Sequence, residues 1–256
     1  MNPPIFVFSA PWFVFVAALA VAGAGLYLVG RRLGEAGRRN LLIGATAGNL
    51  ACFGLYMFGL MTQSDFPAHV IYDMPLQLCS LVTFSLIPAI VLKVNWLRGF
   101  VYFIGCLAGF LALFSPAEGI QGVGALTPLS IGFFGSHGLN VVIGALIAAL
   151  GLYRPSYREA FKTLGCFGLL VGIMAVFNLA VRATVLSQAN YFYFFDPEGA
   201  QILELLHNWV GLPIIYMFPV LPLVVGVLML QAAIYRGSSR LATRLSGSRG
   251  PAPVGA

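Results

Sequence analysis

Met74-Pro75-Leu76-Gln77-Leu78-Cys79-Ser80-Leu81 opens an apolar run that continues to Leu92 and stops at Lys93. Its first turn holds a proline, an amide and a thiol, where a membrane helix ordinarily carries Leu, Val and Phe. Proline is tolerated there because the first N–H groups of a helix lack an intrahelical partner anyway. Cys79 then falls within about a turn of the helix's positive end, a setting shared by reactive cysteines. A buried thiol in such a run is also an ordinary small hydrophobe, so the rest of the chain decides its role.

Around this stretch the 256-residue chain is 59% hydrophobic and only 9% charged, with a mean hydropathy of +0.91. So few charges cannot cover a soluble domain, and the composition predicts a polytopic membrane protein. The formal net charge of +6 suggests a nucleic-acid partner, but its distribution excludes one. All of the Lys and Arg except Arg182 fall between Arg31 and Arg39, between Lys93 and Arg98, between Arg154 and Lys162, or in the tail from Arg236 to Arg249. Such alternation of basic and non-basic connections sets membrane topology.

The apolar runs 11–30, 40–61, 74–92, 99–115, 129–152, 162–186 and 208–235 predict an all-α bundle of about seven transmembrane helices, with the N-terminus outside and the C-terminus inside. Residues 1–236 then form one seven-helix domain, and the basic stretch 237–256 is expected to be a disordered cytoplasmic tail. The first run lacks a basic segment before it, so it is read as retained. The expected location is the cell membrane, as a multi-pass protein. The aromatic cluster Tyr191-Phe192-Tyr193-Phe194-Phe195 lies in the longest outer connection, where aromatic residues often occupy the headgroup layer.

The unusual polar residues converge on the outer half. Cys79 lies about 7 Å below the outer end of its span and His137 about 12 Å below that of the fifth, at 1.5 Å of rise per residue. His137 belongs to a polar patch with Ser136 and, one turn further in, Asn140. Arg182 breaks the positive-inside pattern and shares a helix face with Asn178. It marks either a binding site or a structural ion pair with Asp196 or Glu204. His69, His137 and His207 all fall on the outer side, but without the tight spacing of a metal motif. The four cysteines show neither zinc-ligand nor disulfide patterns. No metal and no other cofactor is expected.

Pro75-Leu76-Gln77-Leu78-Cys79, Thr127-Pro128, Phe133-Phe134-Gly135-Ser136-His137-Gly138, Asn178 and Asn190-Tyr191 together resemble the YwaF-like integral membrane proteins. That family is related to a eukaryotic polytopic acyltransferase that remodels ether phospholipids. The resemblance extends from the first span to the last, and the Leu-Cys and Ser-His-Gly pair is its most specific part. The start of the last span departs from the family pattern, reading Gly211-Leu212-Pro213-Ile214-Ile215-Tyr216. By resemblance, Cys79 and His137 are the functional pair, the reaction is acyl transfer and the partners are membrane phospholipids. The expected substrate-contacting set is Gln77, Asn140, Asn178, Arg182, Asn190 and Tyr191. A non-enzymatic carrier or assembly partner, and a metal-dependent intramembrane hydrolase, are the alternative readings.

The charge pattern generates a direct test with single cysteines placed at Ser64 and Ser238. A membrane-impermeant maleimide should label position 64 in intact cells and position 238 only after permeabilisation. The reverse result inverts the topology.

Overall fold

The computed structural model describes residues 2–62, 74–116 and 118–245, and the regular elements among them are helices. His69 lies outside the described residues, as do Ser64 and 246–256. The helices are α1 (Ala10–Gly30), α2 (Glu35–Met61), α3 (Leu78–Val91), α4 (Asn95–Phe114), α5 (Pro128–Ala149), α6 (Tyr157–Thr184), α7 (Gln201–Val210) and α8 (Val220–Leu245). α1, α2, α4, α5, α6 and the segment Ile215–Leu241 are long and apolar enough to cross a membrane, whereas α3 is a shorter apolar helix.

Local chemistry sets the helix starts. Thr127 Oγ1 accepts from Ser130 N at 3.2 Å ahead of Pro128, the first residue of α5. Ser156 Oγ accepts from Glu159 N at 3.2 Å to start α6, with Glu159 in the favourable first turn. The basic connections meet at one end of the bundle. Lys93 pairs with Glu35 at 2.9 Å. The Arg38 guanidinium donates to the carbonyls of Leu33 and Leu150, and that of Arg98 to the carbonyls of Ala89 and Leu152. Two arginines thus satisfy carbonyls at helix ends and in connections, groups that a helix leaves unpaired. At the opposite end, Ile5 N donates to Val123 O at 2.8 Å and Trp12 Nε1 to Leu113 O at 2.8 Å, tying the N-terminal segment to the region between α4 and α5.

α5 is the central helix and packs most extensively against α2, then α4 and α1. The α2–α5 contact is backbone to backbone. A Cβ on Gly132 would lie 2.6 Å from Tyr56 Cα and 2.7 Å from the Cys52 carbonyl oxygen. Small residues permit this approach, which dispersion and weak polar contacts reward where no hydrophobic effect operates between helices. A π-helical turn, Phe100–Gly105, sits fully buried within α4.

Three expectations need correction. The run 74–92 does not form a full span: α3 begins at Leu78, after an extended Gln77, and is about 21 Å long against about 33 Å for α5. The last span does not begin at residue 208. Gly211 ends α7 at φ +69°, Pro213 follows, and a 3-10 turn at Ile215–Met217 leads into α8. Nor does the aromatic cluster form a headgroup belt, because Tyr191, Phe192 and Phe194 are buried in a core cluster with Met174 of α6. α8 itself is helical from Val220 to Leu245.

Gly132→Ala should lower stability by about 1–3 kcal/mol, because its methyl group meets rigid backbone. Gly165→Ala, where a Cβ meets nothing within 4 Å, should be neutral or raise stability by about 0.5–1 kcal/mol through helix propensity. Thermal unfolding of the two variants in detergent checks the contrast.

Candidate functional site

α3 starts deep inside the bundle. Its first-turn carbonyl, Cys79 O, accepts from Asn140 Nδ2 at 3.3 Å and from Thr83 Oγ1 at 3.0 Å. Asn140 lies about 18 Å along α5, so the nucleophile candidate stands near mid-depth although it is only the second residue of its helix. The space that α3 leaves on its outer side is a cavity of about 620 Å³. Gln77, Cys79 and Thr83 line it from the α3 side, Ser136 and His137 from α5, and Phe192 to Phe194 from the outer connection. The remaining wall is mostly apolar, with Leu221 and Leu223 of α8 contributing while also being 45% and 54% exposed. The cavity therefore reaches the surface that faces lipid.

Cys79 and His137 flank the same turn of α4. Cys79 Sγ lies 4.0 Å from Ala108 O, and a Cβ on the adjacent Gly109 would lie 2.6 Å from the carbonyl oxygen of His137. The His137 ring packs against Phe133, centroid to centroid 4.2 Å, and edge-on to Tyr56 at 6.5 Å. Its Nδ1 is 2.7 Å from Phe133 O. A carbonyl oxygen can only accept, so Nδ1 carries the proton and Nε2 holds the lone pair in the neutral ring. α3 packs against α5, and both side chains line one cavity.

Of the expected substrate-contacting set, Gln77 lines the cavity, with Oε1 accepting from Phe192 N at 2.8 Å. The other five do not line it, and each is engaged by protein. Asn140 binds Cys79, Thr83 and Asn49. The Asn178 amide pairs twice with the Tyr191 backbone, at 2.9 and 2.8 Å, and Tyr191 is fully buried. Asn190 donates to Asp196 O and Glu198 Oε1 and accepts from Phe195 N. Arg182 donates to Ala189 O at 2.8 Å and lies over the Phe195 ring at 4.2 Å, in place of an ion pair with Asp196 or Glu204. These residues hold the connection 187–200 that roofs the cavity. Their polarity reflects non-helical backbone that needs partners.

Sequence reasoning missed Asn49, a lone amide in the apolar middle of α2, although an isolated amide at that depth is itself a signal. It also missed Tyr56, Tyr193 and Glu198 on the cavity wall. His207 packs edge-on against Tyr216 at 5.1 Å. Among the described residues, no three His, Cys, Asp or Glu side chains gather as a metal site.

Asn178→Ala should cost about 2–3 kcal/mol, since it leaves two buried backbone groups of Tyr191 unpaired. Hydrogen exchange should then speed up across residues 190–195 while α5 stays protected; uniform exchange changes would refute the assignment. Comparison with curated proteins and with solved structures finds no match. The model of the TMEM164 family, however, matches residues 6–229, nearly the whole bundle with its Cys79 and His137 cavity, and the chain belongs to the TMEM164 family.

Proposed function

We propose that the protein is a phospholipid acyltransferase of the cell membrane in which Cys79 is the nucleophile and His137 the general base and acid. The observation that carries this reading is the pair itself. Both side chains line one apolar cavity that reaches the lipid-facing surface, and the His137 tautomer leaves Nε2 free to take a proton. The resemblance of the Leu-Cys and Ser-His-Gly motifs to the YwaF-like proteins supports the same reaction.

In the first half-reaction the Cys79 proton passes to His137 Nε2 and Sγ bonds to the carbonyl carbon of a phospholipid ester. The tetrahedral oxyanion faces the start of α3, whose first-turn N–H groups lack intrahelical acceptors and carry the positive end of the helix dipole. Collapse breaks the ester C–O bond, His137 returns the proton to the leaving alkoxide, and a lysophospholipid departs. In the second half-reaction His137 takes the proton of an acceptor lysophospholipid hydroxyl, that oxygen attacks the thioester, and the regenerated thiolate takes the proton back. Transfer rather than hydrolysis follows if the apolar wall keeps water out.

The test uses purified protein in vesicles that contain a diacyl phospholipid and a lysophospholipid with a distinguishable chain. Wild type should exchange chains and carry a hydroxylamine-sensitive acyl group on Cys79. Cys79→Ala should abolish exchange, and His137→Ala should reduce it by about 10²–10⁴-fold. Equal exchange by wild type and Cys79→Ala sinks the mechanism. No exchange by wild type, with no acyl group on Cys79, favours a carrier or assembly partner instead.

A further inference from the structure

The three side chains that meet behind Cys79 contain more polarity than packing requires. Asn49 Nδ2 donates to Asn140 Oδ1 at 2.7 Å, and Asn140 Nδ2 donates to Thr83 Oγ1 at 3.0 Å and to Cys79 O at 3.3 Å. Thr83 Oγ1 is also 3.0 Å from Cys79 O. Asn49, Asn140 and Thr83 are almost completely buried, and they come from three different helices. The network is incomplete: among the described residues, Asn49 Oδ1 is buried without a protein partner. A partly satisfied buried amide network is less stable than an apolar core of the same shape. Stability alone therefore does not account for Asn49.

Geometry does account for it. Asn140 lies three residues after His137, so the two side chains ride on adjacent turns of one rigid helix. Asn140 grips the peptide carbonyl of Cys79 itself, at the end of a helix that starts mid-bundle and has no outer turn to steady it. We infer that Asn140, held in place by Asn49 and Thr83, is a positioning residue that sets the Cys79 thiol in register with the His137 imidazole. This rests on the Cys79 and His137 reading, and it assigns Asn140 to the enzyme's own nucleophile rather than to substrate. None of the three touches the reacting atoms: they act through the Cys79 backbone.

The test compares Asn140→Ala, Asn49→Leu, their double variant, Thr83→Val and Thr83→Ser in the full chain. Asn49→Leu removes the orphaned acceptor and fills the space with apolar volume, so its melting temperature should match or exceed that of wild type. Its kcat for acyl transfer should nevertheless fall by about 10²-fold at unchanged KM, the loss that a misplacement of about 1 Å produces. The double variant should be no slower than Asn140→Ala, because both break one linkage. Thr83→Ser, which keeps the hydroxyl, should retain the rate that Thr83→Val loses. Wild-type kcat in Asn49→Leu, or losses that simply follow the melting temperatures, overturns the inference.

A second readout separates this outcome from failure of the acyltransferase reading. The rate and pH profile of Cys79 alkylation by N-ethylmaleimide, followed on the Cys79 peptide, need no acyl transfer. Alkylation near neutral pH should slow by about tenfold in Asn49→Leu, since thiolate rather than thiol is the nucleophile. If wild type transfers no acyl group but this change is seen, positioning stands and the reaction is different. An unchanged profile removes the positioning role whatever the reaction.

Discussion

Non-helical backbone inside a bilayer must find every hydrogen-bond partner within the protein, and the outer half of this bundle is built around that constraint. α3 begins at Leu78, near the middle of α5, so Met74 to Gln77 just ahead of it run at membrane depth without a helix to satisfy them. Side chains replace the helix. Gln77 accepts from Phe192 N, Asn178 pairs with both backbone groups of Tyr191, Asn190 binds three backbone groups between Phe195 and Asp196, and the Tyr216 hydroxyl donates to Tyr193 O. The single cation of the outer half, Arg182, caps Ala189 O and lies over Phe195.

The shortfall of about 12 Å between α3 and α5 is also what creates the cavity. A full-length third span would fill that space with side chains and place its positive end in the headgroup layer. A shortened one sets the positive end of its helix dipole against an apolar chamber, where its field is poorly screened. The roof holds a cost of its own. Phe192 and Tyr193 both adopt positive φ, at 64° and 57°, a region that non-glycine residues enter at about 1–3 kcal/mol each. The hydrogen bonds of Gln77, Asn178 and Asn190 hold that strained pair in place while Phe192 and Tyr193 face the cavity.

α5 links the two levels of organisation. Its glycines allow α2 and α4 to approach closely, so the helix cannot slide, and its polar residues act from that fixed frame. His137 points a committed tautomer at the chamber, and Asn140 reaches behind it to the backbone of Cys79. The chemistry of the site thus depends on packing several turns away as much as on the two reacting groups.

Composition and the spacing of Lys and Arg were enough to predict an all-helical membrane bundle and which connections share an end, because burying so few charges allows no soluble alternative. The odd residues in apolar runs, Cys79, His137 and Asn178, were legible for the same reason: polarity at membrane depth is expensive and marks a purpose. What that purpose is depended on tertiary contacts. Asn178, Asn190 and Arg182 look alike in sequence as ligands for substrate or as anchors for backbone, and only the backbone partners they meet further along the chain, Tyr191, Asp196 and Ala189, distinguish the two. The run 74–92 reads as a full span because hydropathy is insensitive to where a helix starts. The depth of Leu78 is set by Asn140, on another helix, and by Phe192, more than a hundred residues further on, so the tertiary structure alone decided it.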